Sequence, residues 1–233
     1  MVRIQVDFTV NKNLEFYTPL NEAMTAYIYR AVSKGNKRYA EMLHHNGFSK
    51  LGYKKFVYHV YSIFQNKEIV QFDLKEGTAS LILSSALEDT IVNFVKGMFK
   101  IGSIQLLGFS FNVKEISYIK EPEISDTEAF NAISPVYATR SDGKWLNPRE
   151  MEKKLADNLI QKYFALYGKI PGDVKIKLLS PEARYIRYKK DTFRGYTGLI
   201  IMEGDKRLIR LAYDSGLGAR CGQGMGLLEK IEQ

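Results

Sequence analysis

A single cysteine, Cys221, stands among the 233 residues. That excludes a disulfide framework and a cysteine-ligated zinc site. Histidine is nearly as scarce: His44, His45 and His59 are the three present, and none falls in H-E-x-x-H or another metal-ligand spacing, which speaks against a zinc hydrolase. The carboxylates do not cluster as a two-metal nuclease site requires, so neither metal nor cofactor is expected. No Gly-Lys-Ser/Thr triplet occurs, which removes the P-loop. There is no apolar run long enough to span a bilayer, no recognisable secretory signal and no prominent basic amphipathic helix. The expectation is a soluble cytoplasmic protein without a membrane partner.

What the chain does carry is positive charge, aromatic rings and a local concentration of glycine. Its 34 Lys and Arg against 26 Asp and Glu leave a net charge of +8 and a pI near 9.3. Such a balance calls for an acidic partner, and nucleic acid is the expectation. Fifteen Tyr and thirteen Phe include stacking surface of the kind single-stranded nucleic acid uses, although most serve the core. With 45% apolar residues, the chain is able to bury a core as one large domain or two small ones.

Five of the eleven residues from Gly216 to Gly226 are glycine, a density incompatible with helix or ordinary strand. It fits backbone that approaches a ligand closely, with successive N–H groups forming an anion nest beside Arg220. A dinucleotide fingerprint needs G-x-G-x-x-G after a first strand, and the spacing here differs. The loop therefore reads as a cradle for a polynucleotide backbone, contacted by Gly216, Gly218, Arg220, Gly222, Gly224 and Gly226. Leu217, Met225, Leu227 and Leu228 are apolar and expected to be buried.

Along the chain, Val2, Ile4, Val6, Phe8 and Val10 alternate with polar residues, the pattern of a half-buried strand. Thr18-Pro19 reads as a helix N-cap with Pro at the first helical position. Leu20, Met24, Tyr27, Ile28, Ala31 and Val32 then recur at helical spacing as far as Gly35. Asn36 caps a second helix that ends at Gly47. Phe56–Phe64 reads as a strand, Ile69–Leu74 and Thr78–Leu83 pair around Glu76-Gly77, Leu87–Phe99 is an amphipathic helix, and Gly102–Ile119 holds a long strand or a bent hairpin. That order is the one of a ferredoxin-like or RRM-type sandwich.

A boundary falls at Glu121-Pro122-Glu123. Beyond it, Phe130–Thr139 opens a strand, and Asn147-Pro148 caps a helix closed by Gly168. Val174–Leu179 and Ala183–Tyr188 are strands, and Gly195–Met202 with Arg207–Tyr213 forms a hairpin turning at Glu203-Gly204-Asp205. Leu227–Ile231 is a last strand. The second half thus reads β, α, β, β, then a hairpin, a modified copy of the first without a clear sequence repeat. The expected fold class is α+β: two tandem ferredoxin-like domains, residues 1–120 and 124–233, with a C-terminal glycine-rich loop.

The strand Arg184-Tyr185-Ile186-Arg187-Tyr188-Lys189-Lys190 carries basic residues on both faces. With Arg194, it fits a projecting hairpin that meets a phosphate backbone; a charged edge strand that resists aggregation is the alternative. His59 sits inside an aromatic strand and reads as a packed or face-exposed strand residue. His44 lies near a helix C-terminus, where the dipole favours imidazolium, with Lys50 in the loop that follows. Cleaving RNA needs no supplied nucleophile, because the 2′-hydroxyl beside the scissile phosphate attacks it. The protein must take one proton, give one, and stabilise the charged phosphorane.

The stretch Tyr27-Ile28-Tyr29-Arg30-Ala31-Val32, the later Leu43-His44, and the pair Gly216-Leu217-Gly218 and Gly224-Met225-Gly226 resemble the CRISPR-associated repeat-processing endoribonucleases, the sixth Cas protein family. That family's C-terminal loop has the form G-apolar-G, five residues, G-apolar-G, matched here with Leu217 and Met225 at the apolar positions. The resemblance spans nearly the whole chain and implies two ferredoxin-like domains in tandem. It also implies a metal-independent endoribonuclease that cuts precursor CRISPR RNA within its repeats, leaving 2′,3′-cyclic phosphate and 5′-hydroxyl ends. In this resemblance His44 rather than His45 is the catalytic histidine, Tyr29 the catalytic tyrosine of the preceding helix, and Lys50 the lysine, with Lys54 and Lys55 open as alternatives. The implied partner is CRISPR repeat RNA, a stem-loop or unstructured, bound by a monomer or homodimer. A non-cleaving repeat-RNA binder, or a structural subunit of a ribonucleoprotein effector complex, is the alternative function.

Overall fold

The computed structural model describes residues 2–45, 57–139 and 145–232. In chain order the first half runs β1 (Val2–Val10), β2 (Leu14–Glu15), α1 (Leu20–Gly35), α2 (Lys37–His45), β3 (His59–Gln65), β4 (Glu68–Ile69), β5 (Asp73–Leu74) and β6 (Gly77–Ser85). It continues with α3 (Glu88–Ile101), β7 (Ile104–Leu106), β8 (Phe109–Phe111) and β9 (Val113–Tyr118). Its main sheet has the order β4-β3-β6-β1-β9, antiparallel throughout. The alternation of β1 holds: Ile4, Val6, Phe8 and Val10 are all buried. They face α1 and α3, whose Met24, Tyr27, Ile28, Phe94 and Met98 complete the core. The Tyr27 ring meets Phe94 edge-on, and its hydroxyl donates to the Ser103 carbonyl.

The second half runs β10 (Thr127–Val136), α4 (Pro148–Tyr167), β11 (Val174–Tyr188), β12 (Asp191–Gly204), α5 (Lys206–Ser215) and β13 (Leu228–Lys230), in a sheet of order β11-β12-β10-β13. Leaving the short β4 aside, both sheets have the strand order second-third-first-fourth of their unit, with the third and fourth strands flanking the first. That is the ferredoxin-like arrangement, present twice. Helix α4 begins as its residues dictate: the Asn147 side chain accepts from the Glu150 N–H, and the Glu150 carboxylate accepts from the Asn147 N–H. Gly168 ends it in the left-handed region.

Several local expectations are corrected. Lys206–Ser215 is helix, not the return strand of a hairpin. The Asp205 carboxylate caps it by accepting from the Arg207 N–H, and Leu208, Ile209, Leu211 and Ala212 bury one stripe at helical spacing. Burial of each such aliphatic side chain is worth about 1.5–3 kcal/mol, so the stripe decides the conformation. Residues 69–74 do not pair with β6: β6 lies between β1 and β3, and β4 and β5 add only to β3 and β2. The segment Gly102–Ile119 divides into β7, β8 and β9, the first two forming a hairpin through Leu107 and Gly108, both at positive φ. Pro19, and not Thr18, is the N-cap of α1, so the helix begins one residue later than expected. The two strands expected over 174–188 are one strand, β11, with a register shift between Leu179 and Glu182.

Buried polar contacts join the two units. The Arg3 guanidinium donates to the Leu228 and Tyr213 carbonyls and stacks 3.7 Å above the Tyr213 ring. The Ser84 hydroxyl donates to the Asp214 carbonyl at 2.8 Å. Lys162, fully buried on α4, donates from Nζ to the carbonyls of Ser215 and Gly216 at 2.9 and 3.2 Å. Those carbonyls end α5 and begin the glycine-rich stretch.

Candidate functional site

Successive residues on a helix lie 100° apart, so Tyr29 points away from Tyr27 and out of the first core. It is half-buried, its ring edge-on to His59 at the start of β3, 5.7 Å between centroids. One turn earlier, the Thr25 hydroxyl lies 2.6 Å from the Tyr61 hydroxyl and donates to the Asn21 carbonyl at 2.8 Å. From the other unit, a short 3-10 turn at Cys221–Gln223 comes up against the same face of α1. The Gly222 carbonyl is 3.2 Å from Thr25 Oγ1, and the Asn21 amide donates to the Gln223 carbonyl. The tip of the β11–β12 hairpin closes the third side, where the Lys189 N–H donates to the Glu22 carboxylate at 3.2 Å. The result is a crease between units, walled by α1, β3, the glycine-rich turn and the hairpin tip.

Burial raises the Tyr29 phenol above its ordinary range, and neighbouring Tyr188 adds to this. Tyr29 is therefore a neutral hydroxyl near pH 7, a donor of hydrogen bonds. Tyr61, fully buried, is pushed far above the phenol range for the same first reason. His59 is lowered to about 4, by burial and then by the Lys162 charge. It is neutral at physiological pH and packed, the buried one of the two places its strand allowed.

The glycine-rich stretch is closed on itself and on the second sheet, and not an open cradle. Gly216, Gly218, Gly222 and Gly226 are interior and Gly224 is half-buried. The N–H groups of Leu217, Ala219 and Gly226 donate to the carbonyls of Gly226, Tyr137 and Pro135, and those of Gln223 and Gly224 donate within the turn. Close packing sets the demand for glycine. A Cβ on Gly218, at φ +95°, would lie 2.3 Å from the Tyr137 carbonyl oxygen; one on Gly222 would lie 2.9 Å from Val57 Cγ1 and 3.2 Å from His59 Nε2. Leu217, Met225, Leu227 and Leu228 are buried, as their apolarity predicts. Arg220 alone of the six expected contacts is exposed, its guanidinium 4.3 Å above the Phe193 ring.

The expected basic hairpin is present. Beyond the Val136–Tyr196 pair, β12 keeps only β11 as a partner, so residues 184–195 project past the sheet. Arg184, Arg187, Lys189 and Lys190 are exposed and Arg194 is half-buried. Arg184 pairs with Glu182 at 2.6 Å and helps line a cleft of about 620 Å³ between the units. His44 falls at the end of α2, with its side chain outside the described residues; Lys50, Lys54 and Lys55 also lie outside them. The crease thus brings together Tyr29 and the hairpin tip.

Residues 17–117 match the family described as "CRISPR-associated protein Cas6, N-terminal", and residues 119–230 match "CRISPR associated protein Cas6, C-terminal". The chain belongs to the Cas6 family. Among its relatives, the CRISPR-associated endoribonuclease Cas6 1 of Methanocaldococcus jannaschii is 25% identical over 224 residues, covering 90% of this chain and 85% of the relative. The CRISPR-associated endoribonuclease Cas6 of Pyrococcus furiosus is 24% identical over 233 residues, covering 95% and 86%. The backbone also superposes, with a TM-score of 0.84 over 100% of this chain and 99% of the other, on the structure described as "Characterization of a Cas6-related gene from Pyrococcus furiosus", 21% identical. At that identity the likeness is one of fold. Sequence reasoning did not single out Asn21, Thr25, Tyr61 or Tyr188, which the structure places at the crease. Each is an unremarkable polar or aromatic residue in its own element, and only the meeting of α1 with the second unit marks it.

Proposed function

We propose that this chain is a metal-independent endoribonuclease that cuts precursor CRISPR RNA within its repeats. The 2′-hydroxyl upstream of the scissile phosphate attacks, leaving a 2′,3′-cyclic phosphate and a 5′-hydroxyl. The observation that carries this reading is Tyr29: a half-buried phenol on the flank of α1, one helix before His44, at a crease bordered by the basic hairpin tip. Its raised pKa suits hydrogen-bond donation to a reacting oxygen, and not removal of a proton. His44 carries the proton transfer, and Lys50, or Lys54 or Lys55, stabilises the phosphorane, a charge-stabilising role for which a pre-positioned cation is effective. Arg184, Arg187, Lys189, Lys190, Arg194 and Arg220 hold the RNA backbone, while the glycine-rich stretch fixes the crease without touching phosphate through its buried glycines. Residues 1–120 form the catalytic domain and 124–233 the RNA-holding domain, and the product passes to a CRISPR effector complex. The names of the relatives support the substrate class.

The test is incubation with the source organism's own repeat RNA in EDTA, beside a copy carrying one 2′-deoxy nucleotide just upstream of the cut. Cutting of the first alone, lost in His44→Ala with binding kept, is the expected result. Tight binding with no cutting of either assigns the chain as a non-cleaving binder. A requirement for added divalent metal overturns the mechanism.

A further inference from the structure

The two faces of the projecting hairpin differ. Ile186 and Phe193, opposite each other across the strands, are buried against Met225 of the glycine-rich stretch and hold the hairpin in place. On the other face Tyr185 and Arg194 are a cross-strand pair. Trp145, just ahead of α4, lies edge-on to Tyr185 with 5.8 Å between ring centroids. The Arg194 guanidinium is 5.6 Å from the Trp145 ring and 5.4 Å from the Tyr196 ring. The Tyr196 hydroxyl donates to the Leu146 carbonyl at 3.0 Å, and Leu146 is buried in the second core, so the backbone beside Trp145 is anchored. Yet Trp145 is 56% and Tyr185 52% exposed. Arg187 continues the same strand face two residues on, about 7 Å away, and Lys189 follows in the turn at positive φ, exposed. A charged edge that discourages strand pairing accounts for the cations. It does not account for two large exposed rings fixed beside an arginine.

We propose that Trp145, Tyr185 and Arg194 form a stacking platform for unpaired bases of a single-stranded RNA segment, with Arg187 and Lys189 following its phosphates. The inference rests on the reading of the chain as a repeat-RNA protein and specifies which form of RNA this surface takes. Aromatic faces and a guanidinium plane accept any base by stacking, whereas a duplex keeps its bases stacked internally and offers mainly shape and backbone. The cationic surround selects a polyanion over an apolar protein partner. The platform therefore holds an unpaired stretch of the repeat with little sequence preference, outside the crease.

Trp145 is the single tryptophan of the chain, so emission excited at the red edge of the spectrum, where tyrosine does not absorb, reports on this position alone. The full-length protein is titrated with repeat RNA carrying the 2′-deoxy block, with the same strand bearing abasic nucleotides, and with a blunt duplex of equal length. Saturable quenching is expected with the intact single strand, at the concentration where anisotropy reports binding, and not with the abasic strand or the duplex. Trp145→Ala and Tyr185→Ala should each weaken single-strand binding about fivefold to a hundredfold, and Trp145→Phe should restore most of it. Because stacking releases no counterions, the salt dependence of binding should keep its slope in these variants. Binding without quenching, equal quenching by the duplex, or unchanged affinity in Trp145→Ala overturns the platform. Cutting that proceeds without quenching sinks the platform and leaves the endoribonuclease; quenching without cutting does the reverse.

Discussion

Tyr29 and Tyr27 show how two residues of helical rotation separate structure from chemistry. Tyr27 faces the first core, where burial raises its phenol to about 12 and its hydroxyl donates a hydrogen bond to the Ser103 carbonyl. Tyr29 emerges on the opposite flank at the crease. Tyr29→Phe keeps the ring against His59 and removes only the hydroxyl, so the fold and repeat binding should persist. Single-turnover cleavage should fall about 10²- to 10⁴-fold, the range for a lost proton-transfer or hydrogen-bonding partner. An unchanged rate would exclude Tyr29 from the chemistry. Tyr29 was legible in the sequence because its motif is local. Thr25 and Tyr188 were not, since each acquires meaning only from a surface contributed by the other unit.

At the scale of elements, α5 and the β11–β12 hairpin are the informative cases. The run Arg207-Leu208-Ile209-Arg210-Leu211-Ala212-Tyr213 has enough apolar content to read as strand after a turn at Gly204, and that reading fails. Asp205 starts the helix that the buried stripe then holds: its carboxylate accepts from the N–H groups of Arg207 and Gly172 and pairs with the Arg207 guanidinium at 2.6 Å. Arg207, then these hydrogen bonds, hold the Asp205 carboxyl well below the usual carboxylate range. Asp205→Ala should cost about 1–2 kcal/mol, the loss of an N-cap, read as a Tm lower by a few degrees. In the hairpin, Lys189→Ala and Lys190→Ala remove exposed cations at the tip. Each should weaken repeat binding across sequences and reduce the slope of log affinity against log salt by about one. A slope unchanged in both would remove the tip from the phosphate path.

At the scale of the molecule, the joint between units carries two buried titrations of opposite sign. Burial raises Asp214 from 3.8 to about 7, against the pull of Arg210 and Arg3, so in the folded chain it stays protonated where the unfolded chain has lost the proton. Its contribution to stability is present at low pH and lost as pH rises from about 4 to about 7. His59, lowered from 6.5 to about 4, has the reverse effect: its contribution is present above pH 6.5 and lost as pH falls toward 4. The two slopes oppose each other across one window. Asp214→Asn removes the first and should leave Tm rising more steeply from pH 4 to 6.5 than in the parent chain, whatever its offset at any single pH. Parallel curves would show that Asp214 does not titrate in that window.

Most elements of the first half, and α4 in the second, were legible in the sequence by itself, because alternation in β1, helical stripes in α1, α3 and α4, and the caps at Asn36 and Asn147 are short-range signals written within a few residues; α5 was not. The family resemblance was legible too, through spaced glycines that tolerate no side chain. What those glycines do was decided by tertiary structure alone. Gly218 and Gly222 have no room for a Cβ because Tyr137, Val57 and His59, 80 to 165 residues away in the chain, press against them. The same holds for the wall that α1 shares with the hairpin tip and for the ring pair at Trp145 and Tyr185. A local pattern states which way a side chain points along its own element; what stands opposite is set by how two separately formed sheets and their helices bury their remaining surface against each other.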